Sequence, residues 1–566
     1  MLLSACTIPP ITLPATPVIS VQPPPPTFPY GVAAGDVDQH SAVLWAISTA
    51  LGPITFTVEG PDLATPRVLA AAAVNAATPV TVTTTDLIAG ATYTYHAENS
   101  TGERASGQFR TPAADGYAGL RFGASGDWRG DMAPYPSIAN VASRDLDFFV
   151  LMGDNLYADV SSAAVEGQAR TLDDFRRKYA EVYAAMDGEN PWPMLRASTP
   201  LYVTIDDHEV LNDFAGGAEA ARDSRFPEET GLINDTATYE NALQAMQDYL
   251  PLAAQFYGDV GDPRIDGERK LYRYRTFGQD AALLVTDSRS FRDLPLARPD
   301  RDDADAVARF RQATFRADRT MLGSAQLADL KRDLLDAHQR GVTWIFVVVS
   351  VPVQNRGLIS AQDRFEGFAA ERADLLSFIA AQGICNVVFI AADIHGTLVN
   401  DIHYRAAQDA PDQPTGAFEI TVGPAAYYPA LGEVVRVHGL DAGYVSEEES
   451  TTYRSLPVAA DTDDEVDDRD DWIKAKINEE LIATGYNPLG LADSGLDVEL
   501  VQGDYVLVEY FGWSEFEIDA AAQSLTVTTY GIEPYGTRTL AEDRASVLAR
   551  TPQIVGQFVV QPAACR

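Results

Sequence analysis

Six apolar runs of strand length most constrain this chain: residues 120–124, 148–152, 201–205, 281–286, 344–351 and 387–392. Stretches with apolar residues at three and four spacing, at 172–185, 238–250, 325–338 and 368–381, separate several of them and predict amphipathic helices. Strands alternating with helices predict a layered α/β domain with helices packed on a sheet. In such a sheet, ligands and chemistry collect outside the carboxyl ends of the strands. Four segments place acidic, His or Tyr residues where an apolar run stops: Gly126-Asp127, Gly153-Asp154-Asn155-Leu156-Tyr157, Asp206-Asp207-His208-Glu209 and Asp393-Ile394-His395. Carboxylates that converge from separate strands with one or two imidazoles imply bound metal ions.

The rest of the chain divides around this domain. Residues 8–29 are rich in proline, including Pro23 to Pro26, and read as a linker in extended conformation. The runs 42–45, 54–58 and 80–83 are β-prone, and the latter two alternate with period two, so 30–113 is expected to be a small all-β domain. The segments 87–95 and 107–112 resemble the late strands of a fibronectin type III-like sandwich. The expected division is therefore 1–29 signal remnant and linker, 30–113 sandwich, 114–540 catalytic domain and 541–566 tail. Within the third part, 505–510 and 525–530 are expected to complete a second sheet.

With 81 acidic and 42 basic residues, the chain carries a formal charge of −39, which repels nucleic-acid phosphate and argues against sequence-specific nucleic-acid binding. Most of this acidity reads as a solvated coat, and the run 461–471 as a solvated loop rather than a calcium site, because it lacks the glycine of an EF-hand loop. No apolar run reaches the ~18 residues of a membrane span. The three cysteines, Cys6, Cys385 and Cys565, show no paired metal or redox spacing. Cys385 and Cys565 either pair in an oxidising compartment or remain separate thiols. Leu3-Ser4-Ala5-Cys6 resembles a bacterial lipobox, with too little before it for a signal peptide. The expectation is a start upstream, lipid anchoring at Cys6, and an extracytoplasmic location at the periplasm or cell surface. The sequence does not address oligomeric state.

Each site segment has an ordinary alternative. Asp127 and Asp154 could be turn residues, and Tyr157 packed core. A phenol three residues after Asp154 could also face the same space, and a phenolate ligand selects a hard, highly charged cation such as Fe(III). Asp206 and Glu209 have capping-box spacing. Asp206 can cap a helix while Asp207 binds metal and His208 faces substrate. Asp393 and His395 alternate along an extended segment, so both can reach one site. His40, His96, His338 and His438 lie off the strand tips, and His403 stays open between a role beside the metal ligands and none.

Taken in order, these segments resemble a metallophosphoesterase, most closely the alkaline phosphatase D (PhoD-like) family. Residues 30–37, 153–157, 206–209, 348–354 and 393–396 carry the resemblance. It implies a four-layer α/β/β/α domain holding two or more metal ions, Fe(III) with Ca(II), at its strand ends. By the same resemblance, Asp154 bridges the metals, Tyr157 and His395 bind the iron-like ion, and Asp207 and Asp393 hold the other. Family members commonly place a Cys ligand after the first strand. Here Ser125-Gly126-Asp127-Trp128 stands instead, closer to the Gly-Asp-Trp of purple acid phosphatases, so Asp127 would replace the thiolate.

The activity implied is hydrolysis of phosphate monoesters or diesters by a metal-activated hydroxide. His208 is the candidate to contact the phosphoryl group or protonate the leaving group, and Arg129 to stabilise developing charge. Two other readings compete. A cell-surface calcium-binding adhesion or carbohydrate-binding protein fits the acidity and the sandwich, but its all-oxygen sites do not call for His208 and His395. A purple acid phosphatase-like enzyme fits Asp127-Trp128, but residues 347–354 supply none of its extra histidines.

Overall fold

The computed structural model describes residues 26–357, 361–441, 443–458, 461–463 and 465–564. The lipobox and most of the proline-rich linker lie outside them. Seven strands come first: β1 (Val32–Gly35), β2 (Ala42–Ala46), β3 (Gly52–Glu59), β4 (Arg67–Ala73), β5 (Val80–Thr84), β6 (Thr92–Glu98) and β7 (Arg104–Arg110). The apolar runs then form β8 (Leu120–Ser125), β9 (Phe148–Leu151), β10 (Leu201–Val203), β12 (Ala281–Val285), β13 (Trp344–Val348) and β14 (Val387–Ala391), with β11 (Arg273–Phe277) hairpinned onto β12. The remainder are β15 (Thr397–Tyr404), β16 (Gln413–Thr421), β17 (Val498–Gln502), β18 (Val506–Leu507), β19 (Phe511–Ile518), β20 (Leu525–Ile532) and β21 (Gln553–Val560).

Ten strands form one sheet in the order β17-β21-β20-β19-β8-β9-β10-β1-β2-β5, and seven form a second in the order β11-β12-β13-β14-β16-β15-β18. Alternation along each strand decides what the two faces bury. Phe122, Phe148 and Val150 from the first sheet meet Leu283, Phe346 and Ile390 from the second in one core. Phe122 stacks on Phe148 and Phe516 at 4.6 and 4.8 Å between ring centroids and meets Phe346 edge-on at 4.9 Å, joining the sheets through aromatic contacts. The opposite residues, Phe149 and Leu151, face the helices Leu172–Tyr183 and Ala237–Tyr249. Ile345, Val347 and Phe389 face the helices Ser324–Gln339 and Ala369–Gln382. This is the expected α/β/β/α layering.

Three details depart from the sequence reading. The N-terminal region is all-β, but β1, β2 and β5 extend the ten-stranded sheet, β1 pairing parallel to β10 with Gly35 opposite Leu201. Only β4-β3-β6-β7 form a separate sheet, packed over them around Phe56, Tyr93 and Tyr95. The boundary at 113 is therefore not a break in the sheet. Residues 541–566, expected as a tail, contribute β21, which is paired on both sides, to β20 and β17. The strands near 506 and 525 join different sheets: β18 pairs with β15, whereas β20 pairs with β19 and β21.

Candidate metal centre

The site lies beyond the ends of β8, β9, β10 and β14, and positive backbone angles turn its residues inward. Asp127, Asp154, Asp393 and His395 have φ of +62°, +48°, +70° and +62°, a left-handed region that non-glycine residues occupy mainly as single turns. Gly153 makes the bend before Asp154 possible, with φ +98° and a Cβ position that would sit 2.5 Å from the amide nitrogen of Asp206. Glu209 ties these turns together by accepting from the backbone N–H groups of Asn155 (2.6 Å), Asp206 (2.9 Å) and Asp154 (3.3 Å). Glu209 thus bonds Asp206 as a capping box would, but residues 206–209 form turns, not a helix. Asp206 instead pairs with Arg289 at 2.6 Å.

Around Tyr157 the expected first group assembles. Its hydroxyl donates to Asp154 Oδ2 at 2.8 Å and lies 3.3 Å from Asp127 Oδ1. Nε2 of His395 is 3.5 Å from the same Asp127 oxygen. Asp127 is fully buried, and its second oxygen, Oδ2, has no hydrogen-bond partner among the described residues. Burial first, and then the charges of nearby aspartates, hold the carboxyls of Asp127 and Asp154 well above the usual carboxylate range. His395 stacks on Tyr427 at 3.7 Å between centroids. Burial, reinforced by His208, Arg356 and Arg129, pushes its imidazole down to about 3, so it is neutral and available as a ligand.

His208 sits on the other side of Asp154. Ligand atoms of Asp154, Asp207 and His208 lie within 4.8 Å of one another. Nδ1 of His208 is 2.7 Å from Asp159 Oδ1, while Nε2 is 4.0 Å from Asp207 Oδ1. Burial disfavours its positive charge, yet Asp154, Asp207 and Asp159 outweigh burial and raise the imidazole well above its ordinary range. Asp159 orients the ring, a role with no signal in the sequence beyond its place two residues after Tyr157.

Asp207 and Asp393 both approach Nη2 of Arg289, at 3.4 and 3.8 Å. The same guanidinium pairs with Asp206 and Asp363, and no part of it is exposed. Burial works against the charge on Asp363, but Arg289 and Arg292 outweigh it and hold the carboxyl at about 2. A further acidic trio, Asp207, Asp213 and Asp363, also has ligand atoms within 4.8 Å. Sequence reasoning misses Arg289 as well. Its signal is the segment Asp287-Ser288-Arg289, which directly follows the apolar run 281–286.

Arg129 is less free than expected, because Asp131 takes it in two bonds of 3.0 and 2.6 Å. His403 is engaged by Asp412 and Asp401 at 2.7 and 2.8 Å, apart from the residues of the site. Cys385 is disulfide-bonded, and the other two cysteines lie outside the described residues. No helix among the described residues is long and apolar enough to cross a membrane.

Residues 121–458 match the family model of the PhoD-like phosphatases. The chain belongs to that family. It is 25% identical over 293 residues to alkaline phosphatase D of Bacillus subtilis (strain 168), a match covering 48% of this chain and 44% of that relative. The chain thus aligns with under half the length of this curated relative. A solved structure titled "Structure of PhoD" superposes with a TM-score of 0.66 at 19% identity, covering 97% of this chain and 92% of that one, and so shares the fold. The calcium-binding adhesion reading falls with this membership.

A PhoD-like phosphatase implies metal ions, and the residues fit them. Buried carboxyls held above their usual range, an oxygen of Asp127 with no hydrogen-bond partner among the described residues, a phenol shared by two carboxyls and a neutral imidazole form a hard oxygen–nitrogen donor set of the kind that binds a hard cation.

Proposed function

We propose that this protein hydrolyses phosphate esters, as a phosphatase or phosphodiesterase, at the strand ends around Asp154. The convergence of Asp127, Tyr157 and His395 on one side of Asp154, with Asp207 and His208 on the other, carries this reading. Asp127, Tyr157 and His395 would hold one ion, Asp207 and Asp393 a second, and Asp154 would serve both. Fe(III) suits the phenolate side and Ca(II) the all-carboxylate side. When bound, such ions supply Lewis acidity and make water a nucleophile near neutral pH.

The chain's own residues hold and move the proton. Asp154, Asp207 and Asp159 raise the His208 imidazole above its ordinary range against burial, and Asp159 fixes the ring, which suits His208 to give a proton to a departing alkoxide. Tyr427 packs against both Tyr157 and His395 and shields that side from water. We place the protein outside the cytoplasm, anchored through Cys6. The disulfide at Cys385 supports an oxidising compartment.

The test combines metal analysis, a visible spectrum and turnover of p-nitrophenyl phosphate and bis-p-nitrophenyl phosphate. Activity should vanish with chelator and return with metal. A tyrosinate-to-Fe(III) band should disappear in Tyr157→Phe. Colourless, iron-free but active protein would rule out iron, and an active metal-free preparation would rule out the mechanism.

A further inference from the structure

A cavity of 310 Å³ opens between the helices Ala304–Thr314 and Ala369–Gln382, the segment after β15 and the segment after the helix Arg469–Ala483. None of the residues of the metal centre lines it. Arg311, Arg372 and Arg405 do, a gathering of cations that runs against the formal charge of −39 on the chain. The acids in the lining do not neutralise them. Glu366 gives its carboxylate to Arg364 at 2.8 and 3.0 Å, and Asp409 is exposed and makes no ion pair among the described residues.

Backbone carbonyls aim these side chains but leave their charge uncompensated. Arg372, 5% exposed, donates from Nε to Val353 at 2.6 Å and from Nη2 to His403 at 2.7 Å. Burial pushes its guanidinium below the ordinary arginine value. Arg405 donates to the carbonyls of Thr484 and Gly485 and lies over Tyr486, 4.2 Å from the ring centroid. Its buried Nε has no hydrogen-bond partner among the described residues and is 3.8 Å from Asp412, a carboxylate already bonded to His403. Arg311 makes no ion pair or side-chain hydrogen bond among the described residues. Buried cations short of counter-charge cost stability and call for an explanation beyond packing. Guanidinium forks match the paired oxygens of a phosphate or carboxylate, and a cavity of this size suits a small molecule. Phe310, Phe315 and Tyr486 give the same cavity an apolar wall.

We propose that this cavity is a second ligand site, sharing no residue with the metal centre, that binds a small organic oxyanion. Arg311, Arg372 and Arg405 hold its phosphate or carboxylate group, and its apolar portion lies against Phe310, Phe315 and Tyr486. The site does not draw on the phosphoesterase reading.

The experiment measures binding of phenylphosphonate and phenylacetate, neither of which the enzyme can hydrolyse, to the metal-loaded full chain by equilibrium dialysis. The parent should bind at least one of them saturably. Loss of a charge-assisted hydrogen bond in Arg311→Gln should weaken that binding about ten- to a hundredfold, with turnover of p-nitrophenyl phosphate and unfolding temperature unchanged. Arg405→Gln should weaken the same binding, and Arg311→Gln alone decides if loss of the bonds to Thr484 and Gly485 prevents that variant from folding. No saturable binding by the parent would overturn the site, as would binding unchanged in Arg311→Gln. Equal loss of binding and turnover in Arg311→Gln would also overturn it, because the anion would then sit at the metal centre. If the metal centre itself binds neither probe and turns over no ester, the phosphoesterase reading fails, while binding that is lost in Arg311→Gln still supports the second site.

Discussion

The two halves of the metal centre are built from the same strand-tip aspartates but are neutralised in different ways. On the Tyr157 side, Asp127 and Asp154 have a phenol and a neutral imidazole near them and no guanidinium within ion-pair distance among the described residues. On the other side, Asp206, Asp207, Asp363 and Asp393 gather around Arg289, a cation belonging to the chain. Burial holds the carboxyls of Asp127 and Asp154 well above their usual range and raises Asp206 and Asp393 too, despite Arg289, whereas Asp363, shared by Arg289 and Arg292, is held at about 2. Identical residue types thus form one half with no guanidinium of the described residues beside its carboxyls and another built around Arg289.

The sharpest way to break this comparison is Asp154→Asn, which removes the carboxylate assigned to both ions. Loss of several kcal/mol of charge stabilisation corresponds to about a thousandfold or more in kcat/KM, while Asp363→Asn should leave the Tyr157-side ion bound. Equal loss of that ion from both variants, read by metal analysis, would erase the distinction.

Arg289→Gln addresses the other half. Leaving buried carboxylates uncompensated should cost about 3–5 kcal/mol by denaturant unfolding in chelator. Added calcium should recover part of that loss if a cation can take the place of the guanidinium.

Asp159→Asn should act more mildly, lowering kcat/KM about 10- to 100-fold, as changes to the partners of ligating or catalytic groups do. Asp159 helps to raise His208, so its loss lowers the imidazole pKa and moves the alkaline limb of the pH–rate profile to lower pH. An unmoved limb would show that His208 is not the acid.

The smallest expected effect is in metal-free stability between pH 6.5 and 8. Groups raised in the folded state, His208 and Glu209 (about 7), bind more protons folded than unfolded, so their contribution is lost as pH rises. His395, pushed down to about 3, regains its contribution as pH rises through its ordinary value of 6.5 and so offsets a small part of that loss at the lower edge of the window, while Asp363 is silent in it. From His208 and Glu209 the metal-free protein should therefore lose about 1–2 kcal/mol across the window, since one extra proton held by the folded chain over one pH unit is worth about 1.4 kcal/mol, and Glu268 and Glu419, also raised to about 7, add to that loss. Metal-loaded protein should show a flatter profile.

The layering and all four tip segments were legible because both are local: an apolar run followed by Asp, His or Tyr is contiguous in sequence. What escaped was mutual position. Arg289 and Arg356 also lie past apolar runs, yet nothing local says that one meets four carboxylates and the other none among the described residues. Asp159 was hidden because its value lies in a contact with His208, 49 positions away. The edges of the expected domains failed for the same reason. β1 and β21 look like parts of a module and a tail until their pairing partners, β10 and β20, are known.

The strand that delivers Asp127 shows what such pairing means for making the protein. On one side β8 pairs with β9, soon after it in the chain, but on the other it pairs with β19, and Ser125 bonds Gly512 across 387 positions. A ribosome-bound chain that has emitted all of the residues matching the family model still holds β8 with an open edge. Its catalytic carboxylate waits for a strand not yet synthesised, so the matched segment alone should behave as a sticky fragment rather than a minimal enzyme.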